Sequence, residues 1–120
     1  MAHILIVDDD MAMLSFLSTA LERAGHTTES RNNGRDALAE LKSDTYYDLL
    51  LTDIVMPGMD GVELSKEAST LFPELKIMFI TGFSAEAALP KSSASFKGNI
   101  MAKPFHLNDL IARVEEILAN

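Results

Sequence analysis

The sequence predicts an α/β fold, a doubly wound parallel sheet of five strands in the order 2-1-3-4-5 with five helices on its two faces. Three observations carry this. Short, continuous apolar runs recur along the chain, ILIV at 4–7, LLL at 49–51 and KIMFIT at 76–81, and such runs suit strands buried on both faces. Segments with helical apolar spacing alternate with them, which requires right-handed crossovers between parallel strands. Each run also ends on a polar residue, and in an open α/β sheet the carboxyl ends of the strands are where ligands bind.

Taken in order, His3 to Val7 is the first strand and ends in Asp8, Asp9 and Asp10. Leu14, Leu17, Ala20, Leu21 and Ala24 then space out a helix over 11–24, with Asp10 as its N-cap and Gly25 as its stop. Thr27 to Arg31 is polar and predicts an edge strand; Asn32-Asn33-Gly34 is a turn before a helix over 35–42. The central strand at Leu49 ends on Asp53, and the loop behind it leads into a helix carrying Val62, Leu64, Ala68 and Leu71, which Pro73 ends. After the strand 76–81, a helix starting at Ser84 is expected to be short or mobile, because Pro90 and KSSAS at 91–95 are poor helix formers. Asn99 to Ala102 reads as the last strand, and residues 107, 110, 111, 114, 117 and 118 form the apolar stripe of the last helix.

At 120 residues and 48% hydrophobic content, residues 1–120 are expected to form one domain with a sizeable core. The absence of cysteine excludes a disulfide framework and a thiolate metal site. No apolar run reaches the roughly 18 residues of a membrane span, and no signal sequence is present, so membrane insertion is not expected and the reading is cytoplasmic. A net charge of −8 argues against binding nucleic acid through its phosphates and points to carboxylates that collect a cation.

The predicted topology brings Asp8, Asp9, Asp53, Thr81 and Lys103 to neighbouring strand ends around one pocket. Three carboxylates so placed repel one another unless their pKa values rise or a hard cation binds, and Mg²⁺ suits an all-oxygen site that also takes a phosphate. The Lys103 ammonium and the Thr81 hydroxyl are the groups needed to hold phosphoryl oxygens. The residues therefore describe an aspartate, Asp53, that accepts a phosphoryl group. Gly58 and Gly61 read as turn glycines without ligand contact, and Met56 and Met59 as packing residues.

ILIVDDD, TDIVMPGMDG, FITG and AKPF, in this order and at these separations, resemble the receiver domain of two-component response regulators, the CheY-like family with the flavodoxin-like fold. The likeness spans the whole chain. It implies Asp53 as phosphoacceptor, Mg²⁺ bound by Asp9 directly, by Asp8 through water, by Asp53 and by the carbonyl of Val55. It further implies that Thr81 follows the phosphoryl group, that Lys103 bridges to it, and that the Lys103-Pro104 peptide is cis, an isomer accessible to X-Pro bonds. The implied donor is a histidine kinase or histidine phosphotransfer protein. TDIVMP, FITGF and KPFHL together also resemble stand-alone CpdR-type receivers, which implies regulated substrate delivery to a ClpXP-type protease.

The pattern is broken at Ile100, three residues before the lysine, where many receivers carry the aromatic that rotates on activation. An aliphatic side chain cannot report by an aromatic flip, and Ser95-Phe96-Lys97-Gly98 replaces the usual Gly-Ala pair. Because the chain ends at Asn120 directly after the last helix, output is expected by protein docking. Val55 and Phe83 border the approach of a hydrolytic water and cannot orient it by hydrogen bonding, so slow self-dephosphorylation is expected. Two alternatives use parts of the same pattern. A Mg²⁺-dependent phosphatase with an Asp nucleophile would want a second Asp where Val55 stands; a nucleotide-binding module would want a Gly-rich loop after the first strand.

Overall fold

The computed structural model describes residues 2–82 and 99–120. Five parallel strands, β1 (His3–Val7), β2 (Thr27–Arg31), β3 (Leu49–Asp53), β4 (Lys76–Thr81) and β5 (Ile100–Ala102), form one sheet in the order β2-β1-β3-β4-β5. Among the described residues the helices are α1 (Met11–Arg23), α2 (Gly34–Leu41), α3 (Gly61–Leu71) and α4 (Leu107–Ala119). The helix expected from Ser84 lies outside the described residues.

Alternation along the strands builds two cores. Leu5, Val7, Leu50, Ile77 and Phe79 point to one face and pack with Ala37, Leu38 and Leu41 of α2 and Leu64 and Ala68 of α3. Ile4, Ile6, Leu49, Leu51, Met78 and Ile80 point to the other and meet Leu14, Leu17 and Leu21 of α1 and Leu110, Val114 and Ile117 of α4. The register places Leu5 opposite Leu50 and Leu50 opposite Ile77, so the three central strands present their side chains in line. β3 is buried along its whole length, which is why LLL shows no alternation in the sequence.

Helix starts are set by side chains. Asp10 accepts hydrogen bonds from the Ala12 and Met13 N–H groups at 2.9 and 3.3 Å, Asn33 from Asp36 at 2.8 Å, and Asp60 from Glu63 at 2.8 Å. Each satisfies a donor that the first helical turn leaves unpaired. α2 starts at Gly34, one residue earlier than the spacing predicts, directly after its cap Asn33; a Cβ at Gly34 would meet the Met59 carbonyl oxygen at 2.7 Å, so only glycine lets the helix end abut this loop. β5 starts at Ile100 instead of Asn99, whose side-chain amide donates to the Ile77 carbonyl at 2.9 Å. His26, buried between layers, accepts from the Ala2 N–H at Nδ1, and Nε2 contacts Glu115 of α4 at 2.6 Å. That leaves Nε2 to carry the donor proton and ties α4 to the start of the sheet.

Candidate functional site

Because all strands run the same way, the last residues of β1, β3, β4 and β5 converge on one edge. Asp8, directly after β1, is almost fully buried; Asp53 closes β3 with 9% of its surface exposed; Thr81 closes β4 fully buried. Asp9 is exposed. Carboxylate oxygens of Asp8, Asp9 and Asp53 lie within 4.8 Å of one another. Lys103, one residue after β5, brings its Nζ to 3.5 Å from Asp8 Oδ2 and 3.8 Å from Asp53 Oδ2. Its backbone N–H donates to the Thr81 carbonyl at 2.8 Å, and the peptide to Pro104 is cis.

Backbone donors orient the buried carboxylates. Asp8 Oδ1 accepts from the Asp10 N–H at 2.9 Å, and Asp53 Oδ1 from the Ile54 N–H at 2.8 Å. Both Oδ2 atoms thereby face Lys103. Asp8 Oδ2 is buried with no hydrogen-bond partner among the described residues, and the Lys103 ammonium at 3.5 Å, shared with Asp53, offsets the cost of that burial only in part. Burial is the main cause that pushes the Asp8 carboxyl above its ordinary range, against the Asp10 N–H and Lys103; burial and then the Asp8 charge push Asp53 up, against Lys103 and the Ile54 N–H. One ammonium does not balance three carboxylates. At an effective dielectric near 20, like charges this close repel by about 3 to 4 kcal/mol.

The donor set fits Mg²⁺: hard carboxylate oxygens only, one of them buried without a hydrogen bond, beside a lysine that can meet a phosphate. Asp8, Asp9 and Asp53 would hold the cation, which when bound supplies positive charge against the oxygens of a phosphoryl group. Val55, the fourth expected contributor, follows in the β3–α3 loop and is 58% exposed.

The Thr81 hydroxyl donates to the Gly82 carbonyl at 3.0 Å, so it must exchange that bond to serve a ligand. Ile100 is half-buried and packs on the α2–α3 side of the core. The expectation for Phe83 falls on a residue outside those described. Gly58 has the positive φ of a turn glycine, +75°, but Gly61 does not, and its role differs from the one expected. A Cβ at Gly61 would lie 2.0 Å from the Asp53 carbonyl oxygen, so the start of α3 rests on the backbone of the residue that carries the site. A glycine at the first position of a predicted helix was the available signal. The sequence reading also missed an apolar rim, where Met13, Phe16 and Phe105 join Gly82, Lys103 and Pro104 around a cavity beside the site. Phe16 falls off the Leu14–Leu17–Leu21 stripe, and its 46% exposure is the consequence.

Comparison with known proteins agrees with this geometry. The family model described as the response regulator receiver domain matches residues 4–115. The response regulator receiver protein CpdR of Brucella abortus is 48% identical over 98% of this chain and 98% of its own length. The sensor kinase CckA of the same organism is 32% identical over 98% of this chain, which spans 12% of that protein. A receiver domain crystal structure from Clostridium thermocellum superposes with a TM-score of 0.90 over 99% of this chain and 95% of its own, at 20% identity, a likeness of fold.

Proposed function

The chain belongs to the response regulator receiver domain family of two-component signalling, and on that premise we propose that Asp53 is its phosphoacceptor and that docking of a protein partner is its output. The observation that carries this reading is the meeting of Asp53 with Lys103 at 3.8 Å inside the acidic cluster, at the carboxyl end of the central strand. A carboxylate oxygen of Asp53 attacks the phosphorus of a phosphohistidine. The P–N bond breaks and its electron pair stays on the imidazole, which takes up a proton from water. Lys103 exchanges its contacts with Asp8 and Asp53 for a phosphoryl oxygen, and the Thr81 hydroxyl leaves the Gly82 carbonyl to donate to another. Both rearrangements break bonds of the resting state, so phosphorylation favours a second arrangement of the β4 and β5 ends.

Phe16, 46% exposed, lines with Met13 and Phe105 the cavity that also holds Lys103, and these residues suit the apolar part of a phosphodonor surface. Similarity to a segment of a sensor kinase supports a histidine kinase or a histidine phosphotransfer protein as that donor. The near full-length likeness to CpdR supports a CpdR-type output, regulated substrate delivery to a ClpXP-type protease. Ile100 excludes an aromatic flip as the relay, so the change passes through the backbone ends of β4 and β5. Val55 leaves the approach to Asp53 without a hydrogen-bonding side chain, and slow loss of the phosphoryl group follows.

Acetyl phosphate with Mg²⁺ should label the chain once. Labelling that survives Asp53→Asn would reject the assignment; Val55→Asn should shorten the lifetime of the labelled form.

A further inference from the structure

At the edge of the sheet opposite Asp53, the loops entering β3 and β4 enclose a groove of about 500 Å³. Leu41, Tyr46, Tyr47, Leu71, Phe72 and Leu75 are among the residues that line it, with Asp44 and Glu74 on its lips. Tyr47 is part of the core and its hydroxyl donates to Glu40, so the floor is fixed by the fold. The walls are left partly in solvent. Tyr46, 69% exposed, and Phe72, 36% exposed, stand in connections where polar turn residues are common, and Leu71, the last residue of α3, is 47% exposed. Large apolar side chains gathered in solvent mark contact surfaces. Because the walls themselves stand in solvent, the groove is open and suits a segment laid across it better than an enclosed small molecule.

Charge selects the occupant. Asp44 and Glu74 are exposed, and neither is paired with a cation among the described residues. No lysine or arginine lines the groove, and the nearby Lys76 ammonium is taken by the backbone carbonyl of Asn120. With a chain charge of −8, a second copy would bring the same acidic lips and be repelled. We propose that this groove docks a segment of a partner protein that carries aromatic or aliphatic anchors flanked by lysine or arginine. The anchors fill the space between Tyr47 and Leu75, the cations meet Asp44 and Glu74, and Tyr46 offers a ring face to one of them. The surface uses nothing of the aspartate pocket, so it stands whether or not Asp53 is the phosphoacceptor.

The chain has two tyrosines and no tryptophan, and both tyrosines line the groove, so intrinsic emission reports on this place. The probes are synthetic peptides without Tyr or Trp: Phe and Leu anchors between lysines, the same anchors between glutamates, and lysines with Ser in place of the anchors. The first should give a saturable change in tyrosine emission, with amide shifts confined to 41–47 and 71–75. The other two should bind about tenfold more weakly or worse, as should the first peptide on Phe72→Ser and on Glu74→Lys. Asp53→Asn should bind like the wild type. No saturable change up to about millimolar peptide would overturn the proposal. Equal binding of the lysine and glutamate peptides would overturn it too, as would concentration-dependent dimerisation that shifts the same amides.

Discussion

At the carboxyl ends of the strands, Asp8, Asp53 and Thr81 are polar groups held out of water, whereas at the opposite ends Tyr46, Leu71 and Phe72 are apolar groups left in it. The same five strands and the same two cores supply both edges. Folding alone favours neither arrangement, since buried charge and exposed apolar surface both cost free energy. The difference lies in what relieves the cost. At the acidic edge the remedy is partly internal, through Lys103 and the Asp10 and Ile54 N–H groups, and incomplete at Asp8 Oδ2. At the apolar edge nothing among the described residues covers the walls. Substitutions should therefore change stability strongly at the first edge and weakly at the second.

The largest effect is expected from Gly61→Ala. A methyl group 2.0 Å from the Asp53 carbonyl oxygen forces α3 away from β3, at a cost of about 3 kcal/mol by the scale of overpacked cores, and should impair labelling of Asp53. Urea unfolding measures the first and acetyl phosphate the second; a fully stable, normally labelled variant would show that this contact does not position the site. Lys103→Ala comes next, with a loss of about 2 kcal/mol at neutral pH, because two buried carboxylates lose their cation. Millimolar Mg²⁺ should restore part of that loss through linkage.

Acid tests the same edge with a smaller effect. The folded pKa values of Asp8 and Asp53 lie above the ordinary 3.8, so between that value and the raised ones the native state binds more protons than the unfolded chain. Their contribution to stability accordingly falls as pH rises through the folded pKa values and is fully regained below the unfolded one. Without divalent cations, Asp8→Asn should be about 1 kcal/mol more stable than wild type at pH 7, and the gap should close as pH falls toward 4. A gap that widens on acidification would contradict the burial-driven shift. At the other edge, Tyr46→Ser should alter unfolding free energy by no more than about 0.5 kcal/mol. A larger loss would mean that these walls support the fold and that the contrast between the edges is misread.

Strand positions, sheet order and the site residues follow from the amino-acid sequence because their signals are local. Apolar runs of strand length, helical spacing between them and right-handed crossovers leave few topologies, and a polar residue closing a buried strand in such a sheet falls at its carboxyl edge. Asp8, Asp53, Thr81 and Lys103 needed no contact information to be placed together. What the tertiary structure decided depends on approach between distant segments. Gly34 is needed at the start of α2 because the Met59 carbonyl lies against it, and Gly61 is needed because the Asp53 carbonyl does. Lys103 reaches Asp8 Oδ2 at 3.5 Å without a hydrogen bond because the ends of β1 and β5 meet only when the sheet has formed. The groove joins Tyr46 to Phe72 across two crossovers, so neither stretch alone announces it. Periodicity tells which side of an element is buried; the distance between two backbones is settled only when both layers have packed.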